Sequence, residues 1–435
     1  MGISRRGFLT LTGASAASVM LAAPLKNLYA RAATGKSVTD KGFGELISDP
    51  NGILDLPAGF QYRAFSQTGE IMSDGTPVPQ DHDGMAAFLG ENGNTILVRN
   101  HEVSPEEPSG VIAPEENKYD KLGKGGTTTL VINSDRQLVE HYVSLAGTSR
   151  NCAGGSTPWG SWISCEEHTI TPGMYGKGDP KKVDRKHGYN FEVPVKSSIT
   201  KAVPLVAMGR FNHEAIAVDP ATGYIYQTED QNDSCIYRFR PTETGNLQAG
   251  GILEALVIKG MPTVNTSINF PQSKPLEVEW VQLEEVDPDE DTLRYEAQNK
   301  GAAIFKRGEG ACFGNNREVY WTCTSGGKQE LGQIFRYDTK ANTVELFVES
   351  PGREILDYPD NLIFAPNGHL IVCEDGLDEQ YLVGVTPEGK CYPFAHNALN
   401  KSELAGVCFS PDGKTMFVNI QKPGITLAVW GGWDN

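Results

Sequence analysis

The stretch Ala365-Pro366-Asn367-Gly368-His369-Leu370-Ile371-Val372-Cys373-Glu374-Asp375 carries the architecture of the chain in miniature. Pro, Asn and Gly together mark a chain reversal, because each supplies backbone angles that a tight turn needs. The short β-branched run after them reads as a buried strand, and it ends on two acids. The same order of turn, apolar strand and polar end recurs. Glu91-Asn92-Gly93-Asn94 leads into Thr95-Ile96-Leu97-Val98 and ends in Arg99-Asn100-His101-Glu102. Pro158-Trp159-Gly160 leads into Ser161-Trp162-Ile163-Ser164-Cys165 and ends in Glu166-Glu167. Asp219-Pro220-Ala221-Thr222-Gly223 leads into Tyr224-Ile225-Tyr226 and ends in Glu229-Asp230. Gly314-Asn315-Asn316 opens Val319-Tyr320-Trp321-Thr322-Cys323, and Ser410-Pro411-Asp412-Gly413 opens Met416-Phe417-Val418.

The turn positions 93, 160, 223, 316, 368 and 413 are 67, 63, 93, 52 and 45 residues apart. A propeller blade of four short strands takes roughly 40–50 residues before insertions. Helical periodicity is weak throughout, so the expectation is an all-β fold, a six-bladed β-propeller with loop insertions. A β-sandwich or jelly roll accounts for the strands but not for the repeat. The widest spacing holds an insertion at 262–300 rich in Glu and Asp, read as a solvated loop or helix. A second, Gly/Pro-rich insertion spans 104–125.

The 435 residues carry 55 acidic and 38 basic side chains, a net charge of −17. This balance excludes a nucleic-acid binder, since no basic patch offsets the repulsion of a phosphate backbone. Residues 1–33 are set apart as a targeting segment. Ser4-Arg5-Arg6-Gly7-Phe8-Leu9 followed by an Ala-rich apolar stretch reads as a twin-arginine signal, with small residues near Ala30 for cleavage. Residues 34–435 then form one propeller domain, exported by the twin-arginine machinery to the periplasm or beyond. No later stretch approaches the roughly 18 apolar residues of a membrane span, and a monomer is expected. A protein that crosses by this route folds first, so metal can be loaded before export. Eight cysteines occur without a CxxC pair, and five of them (165, 235, 323, 373 and 408) lie in strand-like apolar runs as small hydrophobes.

Equivalent strand ends of a propeller converge on one mouth of its channel. The repeat therefore brings Glu102, Glu166, Glu167, Glu229, Asp230, Glu374 and Asp375 toward each other. Clustered carboxylates raise each other's pKa unless a cation sits among them. Oxygen donors with few imidazoles suit hard cations, calcium first, and eight histidines without an HExxH pattern argue against a zinc centre. Cys152, in Arg150-Asn151-Cys152-Ala153-Gly154-Gly155, is read as lying in a loop, where a thiolate could be a nucleophile or a metal ligand. Arg307 and Glu309 are two residues apart, so in an extended chain both face the same way.

Several motifs in order resemble the PhoX family of alkaline phosphatases. They are the Ser4 to Leu9 signal, Ser48-Asp49-Pro50-Asn51-Gly52, His82-Asp83-Gly84-Met85, Arg99-Asn100-His101-Glu102, Arg150-Asn151-Cys152-Ala153-Gly154-Gly155, Cys165-Glu166-Glu167, Asn212-His213-Glu214, Arg307-Gly308-Glu309-Gly310, Asp360-Asn361 and Gly406-Val407-Cys408-Phe409-Ser410-Pro411-Asp412-Gly413. The resemblance implies hydrolysis of small phosphomonoesters at an oxo-bridged cluster of iron (Fe3+) and calcium (Ca2+). It makes Cys152 an iron ligand and Glu214 and Glu309 the carboxylates that hold the irons. It makes Arg307 the side chain that stabilises the phosphoryl group. Glu102, Glu166, Glu167 and Asp230 become calcium ligands, and Asn100 a phosphate contact. The alternatives are a calcium-dependent lactonase or phosphotriesterase, which has no use for Cys152, and a non-catalytic binding propeller.

Overall fold

The computed structural model describes residues 12–13, 41–173, 183–195 and 198–433. Apart from residues 12–13, the expected twin-arginine segment lies outside the described residues. The first strands are β1 (Thr12–Gly13), β2 (Leu46–Ile47), β3 (Leu54–Pro57) and β4 (Gln61–Phe65). Next, β5 (His82–Leu89), β6 (Thr95–His101), β7 (Gly125–Ile132) and β8 (Leu138–Thr148) form a four-stranded meander. β9 (Asn151–Ser156), β10 (Ser161–Glu166) and β11 (Asn190–Pro194) form a three-stranded sheet. Two runs follow. One is β12 (His213–Val218), β13 (Ile225–Glu229), β14 (Tyr237–Pro241), β15 (Gly251–Ile258) and β16 (Leu276–Gln282). The other, after the short helix α1 (Leu293–Asn299), is β17 (Gly308–Phe313), β18 (Glu318–Cys323), β19 (Gln333–Asp338) and β20 (Thr343–Glu349). The chain ends in β21 (Pro359–Phe364), β22 (Leu370–Glu374), β23 (Tyr381–Val385) and β24 (Cys391–Asn397), then β25 (Leu404–Phe409), β26 (Thr415–Ile420) and β27 (Ile425–Trp430).

The architecture is all-β and propeller-like, but the expected six-bladed propeller is corrected by the hydrogen bonding. β16, within the acidic insertion, pairs with β15 on one side and with β20 on the other. Nine strands thereby join into one sheet, whose edge strands β12 and β17 pack side by side so that it nearly closes on itself. Four smaller sheets complete the molecule. The cause is visible in sequence only afterwards: Leu276 and Val278 bury one face of a stretch that otherwise reads as a solvated acidic run.

Six strands stand innermost. β5, β9, β12, β17, β21 and β25 each pack against the next, and β25 against β5. They define six sectors around one axis. The repeated turns at 93, 160, 223, 316, 368 and 413 join each innermost strand to the second strand of its sector, so the strands quoted as repeats are the second ones, not the innermost. Non-covalent closure comes from the N-terminal segment, since β4 pairs with β27 and β3 with β24. The carboxylate of Asp49 fixes the approach to β3 by accepting from the Ile53 amide at 2.8 Å and the Tyr62 hydroxyl at 2.5 Å. Among the described residues all eight cysteines are buried and free, and no helix is long and apolar enough to cross a membrane.

Every innermost strand carries the same irregularity. The register slips after His82, Asn151, His213, Gly308, Pro359 and Ala405. A bulge there turns the following side chain off the sheet face and toward the axis. Glycine then lets neighbouring backbones touch at the axis. A Cβ on Gly84 would stand 2.5 Å from Ala153 Cα, and one on Gly310 would stand 2.5 Å from the Asp360 carbonyl and 2.7 Å from Asn361 Cα. Gly310→Ala must therefore push β17 from β21. An overpacking cost of about 1–3 kcal/mol is expected in urea unfolding, and an unchanged midpoint would show that the strands part freely.

Beside the axis lies a buried ion network. His187 is fully buried, with Nδ1 2.7 Å from Glu166 and Nε2 3.3 Å from Asp120. Burial alone would lower its pKa, but the charges and hydrogen bonds of Glu166 and Asp120 outweigh it and raise the pKa to about 9. The imidazolium thus stabilises the fold fully below about pH 6.5, the unfolded value, and that contribution fades as pH rises through about 9. His187→Gln is expected to cost on the order of 2 kcal/mol at pH 6. The gap from wild type should narrow above pH 9, and a gap independent of pH would mean a neutral ring.

Candidate metal centre

The slipped register makes a ring. The residue after each slip is Asp83 in β5, Cys152 in β9, Glu214 in β12, Glu309 in β17 and Asp360 in β21. In β25 the equivalent place falls to Gly406. All five donors are buried. Cys152, Glu167 and Glu214 offer ligand atoms within 4.8 Å of one another, and so do Glu214, Glu309 and Asp360. Glu214 belongs to both groups and links them.

A second ring comes from the residues just past the second strands: Glu102, Glu167, Asp230 and Asp375. Each is fixed by its own amide, which donates to the residue two places before the inner donor. Glu102 donates to the Asp81 carbonyl at 3.0 Å, Glu167 to Arg150 at 3.0 Å, Asp230 to Asn212 at 3.1 Å and Asp375 to Tyr358 at 2.9 Å. Glu403, just before β25, adds a further, half-buried carboxylate whose neighbours include Asp375, Asp360 and Glu102.

Two arginines face these acids. Arg150 Nη2 lies 2.6 Å from Glu102 and 2.7 Å from Glu167. Arg307 grips Asp230 through Nε and Nη2 at 2.9 Å each, and Glu309 through Nη2 at 2.6 Å. Two guanidinium groups cannot balance this many acids. Burial, then the neighbouring carboxylates, push Asp83, Glu214 and Glu309 well above the usual carboxylate range. Burial also raises Glu167, where Arg150 opposes it. Asp360 rises to about 7, with burial as the main cause. Burial and Glu214 raise the Cys152 thiol in the same way. Such a set is either protonated or bound to cations, and its chemistry fits cations well. Carboxylate oxygens suit hard ions, while one thiol beside them suits a transition metal.

The structure sorts the residues singled out from sequence. Cys152, Glu214 and Glu309 lie in the inner ring, Glu102, Glu167 and Asp230 in the second, and Arg307 bridges the two. Cys152 is the second residue of a strand rather than part of a loop, with Sγ 3.3 Å from the His213 carbonyl. Glu166 points elsewhere, into the His187 network, where it also accepts from the amides of Ser149, Gly188 and Tyr189. Asn100 is spent on the scaffold. Its Nδ2 donates to the carbonyls of Cys152 and Ala153 at 3.1 and 2.6 Å, and its Oδ1 accepts from Trp162 and Ser164. Glu229 pairs with Tyr237 and Arg294, and Glu374 accepts the Asp357 amide, so neither joins the rings. Asp375 belongs to the strand-end acids that the repeat brings together, whereas Asp83, Asp360 and Glu403 were not singled out as ligands. The signal for the first two is a donor followed by a small or amide residue at the head of each innermost strand: Asp83-Gly84, Cys152-Ala153, Glu214-Ala215, Glu309-Gly310 and Asp360-Asn361.

The alkaline phosphatase PhoX family model matches residues 41–141 and 134–424. The fold is similar to that of Pseudomonas fluorescens PhoX, solved in complex with vanadate, a transition state analogue. The TM-score is 0.68 at 19% identity, over 87% of this chain and 96% of that one. Fainter likenesses are to virginiamycin B lyase from Staphylococcus aureus (TM-score 0.41, 12% identity, 85% of this chain and 99% of that one) and to a gluconolactonase from Xanthomonas campestris (TM-score 0.45, 10% identity, 85% and 89%). No curated protein matches the sequence. With the family model matching nearly the whole stretch from 41 to 424, the chain belongs to the alkaline phosphatase PhoX family.

Proposed function

We propose that this phosphatase is an exported phosphomonoesterase that releases inorganic phosphate from small organic esters with iron and calcium held in the two rings. The observation that carries the reading is the single thiol, Cys152, placed within ligand distance of Glu167 and Glu214 among carboxylates. A site built for calcium alone has no call for sulfur. Cys152, Glu214 and Glu309 are assigned to iron. Glu102, Glu167 and Asp230 are assigned to calcium, together with Asp83, Asp360, Asp375 and Glu403. The Arg5-Arg6 signal supports export to the periplasm or medium.

When bound, the cations supply charge neutralisation at the phosphoryl oxygens and an activated oxygen nucleophile at accessible pH. The chain does the rest. Arg307 presents a planar fork whose charge is secured by Glu309 and Asp230. Asp230, gripping it through two nitrogens, sets the plane of the guanidinium and leaves Nη1 toward a phosphoryl oxygen. Such a pre-oriented donor stabilises charge as it develops without reorganising. Asn100 acts at one remove, by anchoring the carbonyls of Cys152 and Ala153 so that the thiol keeps its aim. The acidic exterior is no barrier to an anionic ester, because the bound cations set the local field.

Cys152→Ala is expected to lose iron in elemental analysis and to lose hydrolysis of p-nitrophenyl phosphate together. Full iron content in that variant would remove the thiol from the centre. Arg307→Ala is expected to keep its metals while kcat falls by about 10²–10³, the range for losing one preorganised donor. A kcat within twofold of wild type would take Arg307 out of the reaction.

A further inference from the structure

The six sectors allow one place in the site to be compared with another. Two residues before the inner donor, four sectors carry a residue other than glycine in the left-handed region, among them Arg150 (φ 46°) and Arg307 (φ 55°). That conformation costs an L-residue roughly 1–2 kcal/mol, so it is kept for what it positions. Arg150 precedes Cys152 as Arg307 precedes Glu309. The backbones match as well: the Arg150 carbonyl accepts the Glu167 amide at 3.0 Å, and the Arg307 carbonyl accepts the Thr324 amide at 2.9 Å.

The guanidinium groups are held alike. Each spans two acids through Nε and Nη2, Arg150 between Glu102 and Glu167 and Arg307 between Asp230 and Glu309. In each the third nitrogen is left over. Arg150 Nη1 reaches only the Glu167 carbonyl, at a long 3.5 Å. Both side chains are about one-third exposed, 34% and 32%, above donors that are almost wholly buried. They are the accessible layer over the rings, where a phosphate group arrives.

We propose that Arg150 is a second phosphoryl-binding side chain, which grips the phosphate of substrate and product through Nη1 together with Arg307. The inference rests on the phosphomonoesterase reading. With Nε and Nη2 held by acids, each arginine has Nη1 left for one oxygen of a phosphate, an arrangement that the spread nitrogens of a guanidinium support and a single lysine ammonium does not. The competing role is simple charge balance for Glu102 and Glu167, which lysine also satisfies.

The test compares Arg150→Lys and Arg150→Gln with wild type, all as metal-loaded protein checked by elemental analysis. Binding of inorganic phosphate is read by calorimetry, beside KM and kcat for p-nitrophenyl phosphate. The expected result is that Arg150→Lys keeps its metals and melting temperature but binds phosphate about tenfold more weakly, with KM raised. Adding Arg307→Lys should then cost less than the sum of the two single changes, because both grip one group. Phosphate affinity within twofold of wild type in metal-replete Arg150→Lys overturns the inference and leaves a counter-ion. If Arg150→Gln loses metal, the lysine variant alone decides. Wild type that fails to bind phosphate overturns the underlying phosphatase chemistry, and this inference with it; wild type that binds while Arg150→Lys is unaffected overturns only the role of Arg150.

Discussion

Carboxylates and a thiol are buried together on one axis, and that constraint governs the molecule. Taking one carboxylate out of water costs several kcal/mol unless it is paired, and like charges in a low-dielectric site add to that cost. Hydrophobic burial elsewhere must carry it. The apolar clusters between neighbouring sheets, such as Ile371, Leu382, Met416 and Leu427 on one side and Ile163, Ile225, Phe239 and Leu253 on another, surround the axis with close-packed material. They supply the rigidity that keeps the donors at their spacing when no cation draws them together.

The axis has to be narrow for this to work, and the narrowing is a backbone property. At Gly84 and Gly310 the strands approach so closely that no side chain fits. The bulge beside each contact aims the donor inward while the rest of the strand keeps its alternation. Behind the donors the channel is walled by small and apolar residues such as Ala153, Ala215, Val407 and Phe409, with a volume of about 420 Å3. The closure by β3 and β4 then matters for the site as well as the fold, because it holds the sector of Glu403 against the sector of Asp83.

Much of this was legible in sequence, and the limits have physical causes. The repeat showed itself through Asn92-Gly93, Thr222-Gly223, Asn367-Gly368 and Asp412-Gly413, because a tight turn imposes its own residue types locally. Which strand of a hairpin lies innermost is decided by packing across the axis, and nothing local to Thr95-Ile96-Leu97-Val98 reports it. The second-ring acids Glu102, Glu167 and Asp230 were found because they end the strands that were read, while Asp83 and Asp360 sit at the heads of the strands before them. Glu166 and Glu167 are adjacent and looked equivalent, yet alternation along a strand sends neighbours to opposite sides. One therefore meets His187 and the other meets Arg150. The joining of two sheets through β16 depended on a pairing with β20 that begins 67 residues later, at Thr343, and a run of acids hid the buried face that makes it.

Depth, finally, divides the labour among three layers that the same backbone motif repeats. The donors just after the register slip are buried, and Glu309 among them also meets Arg307. Of the acids past the second strands, Glu167 and Asp230 are buried, Glu102 is half-buried and Asp375 is exposed, and each is tied by its amide to a carbonyl two places before an inner donor. The accepting carbonyls belong to Asp81, Arg150, Asn212 and Tyr358, and Arg307 holds the equivalent place with the Thr324 amide as its partner. A hydrogen bond from the Glu167 amide therefore fixes the backbone of Arg150, as one from the Thr324 amide fixes that of Arg307. Arg150 takes one carboxylate oxygen of Glu167 and Arg307 one of Glu309, so the other oxygen of each acid faces the rings without disturbing the fork that Asp230 orients.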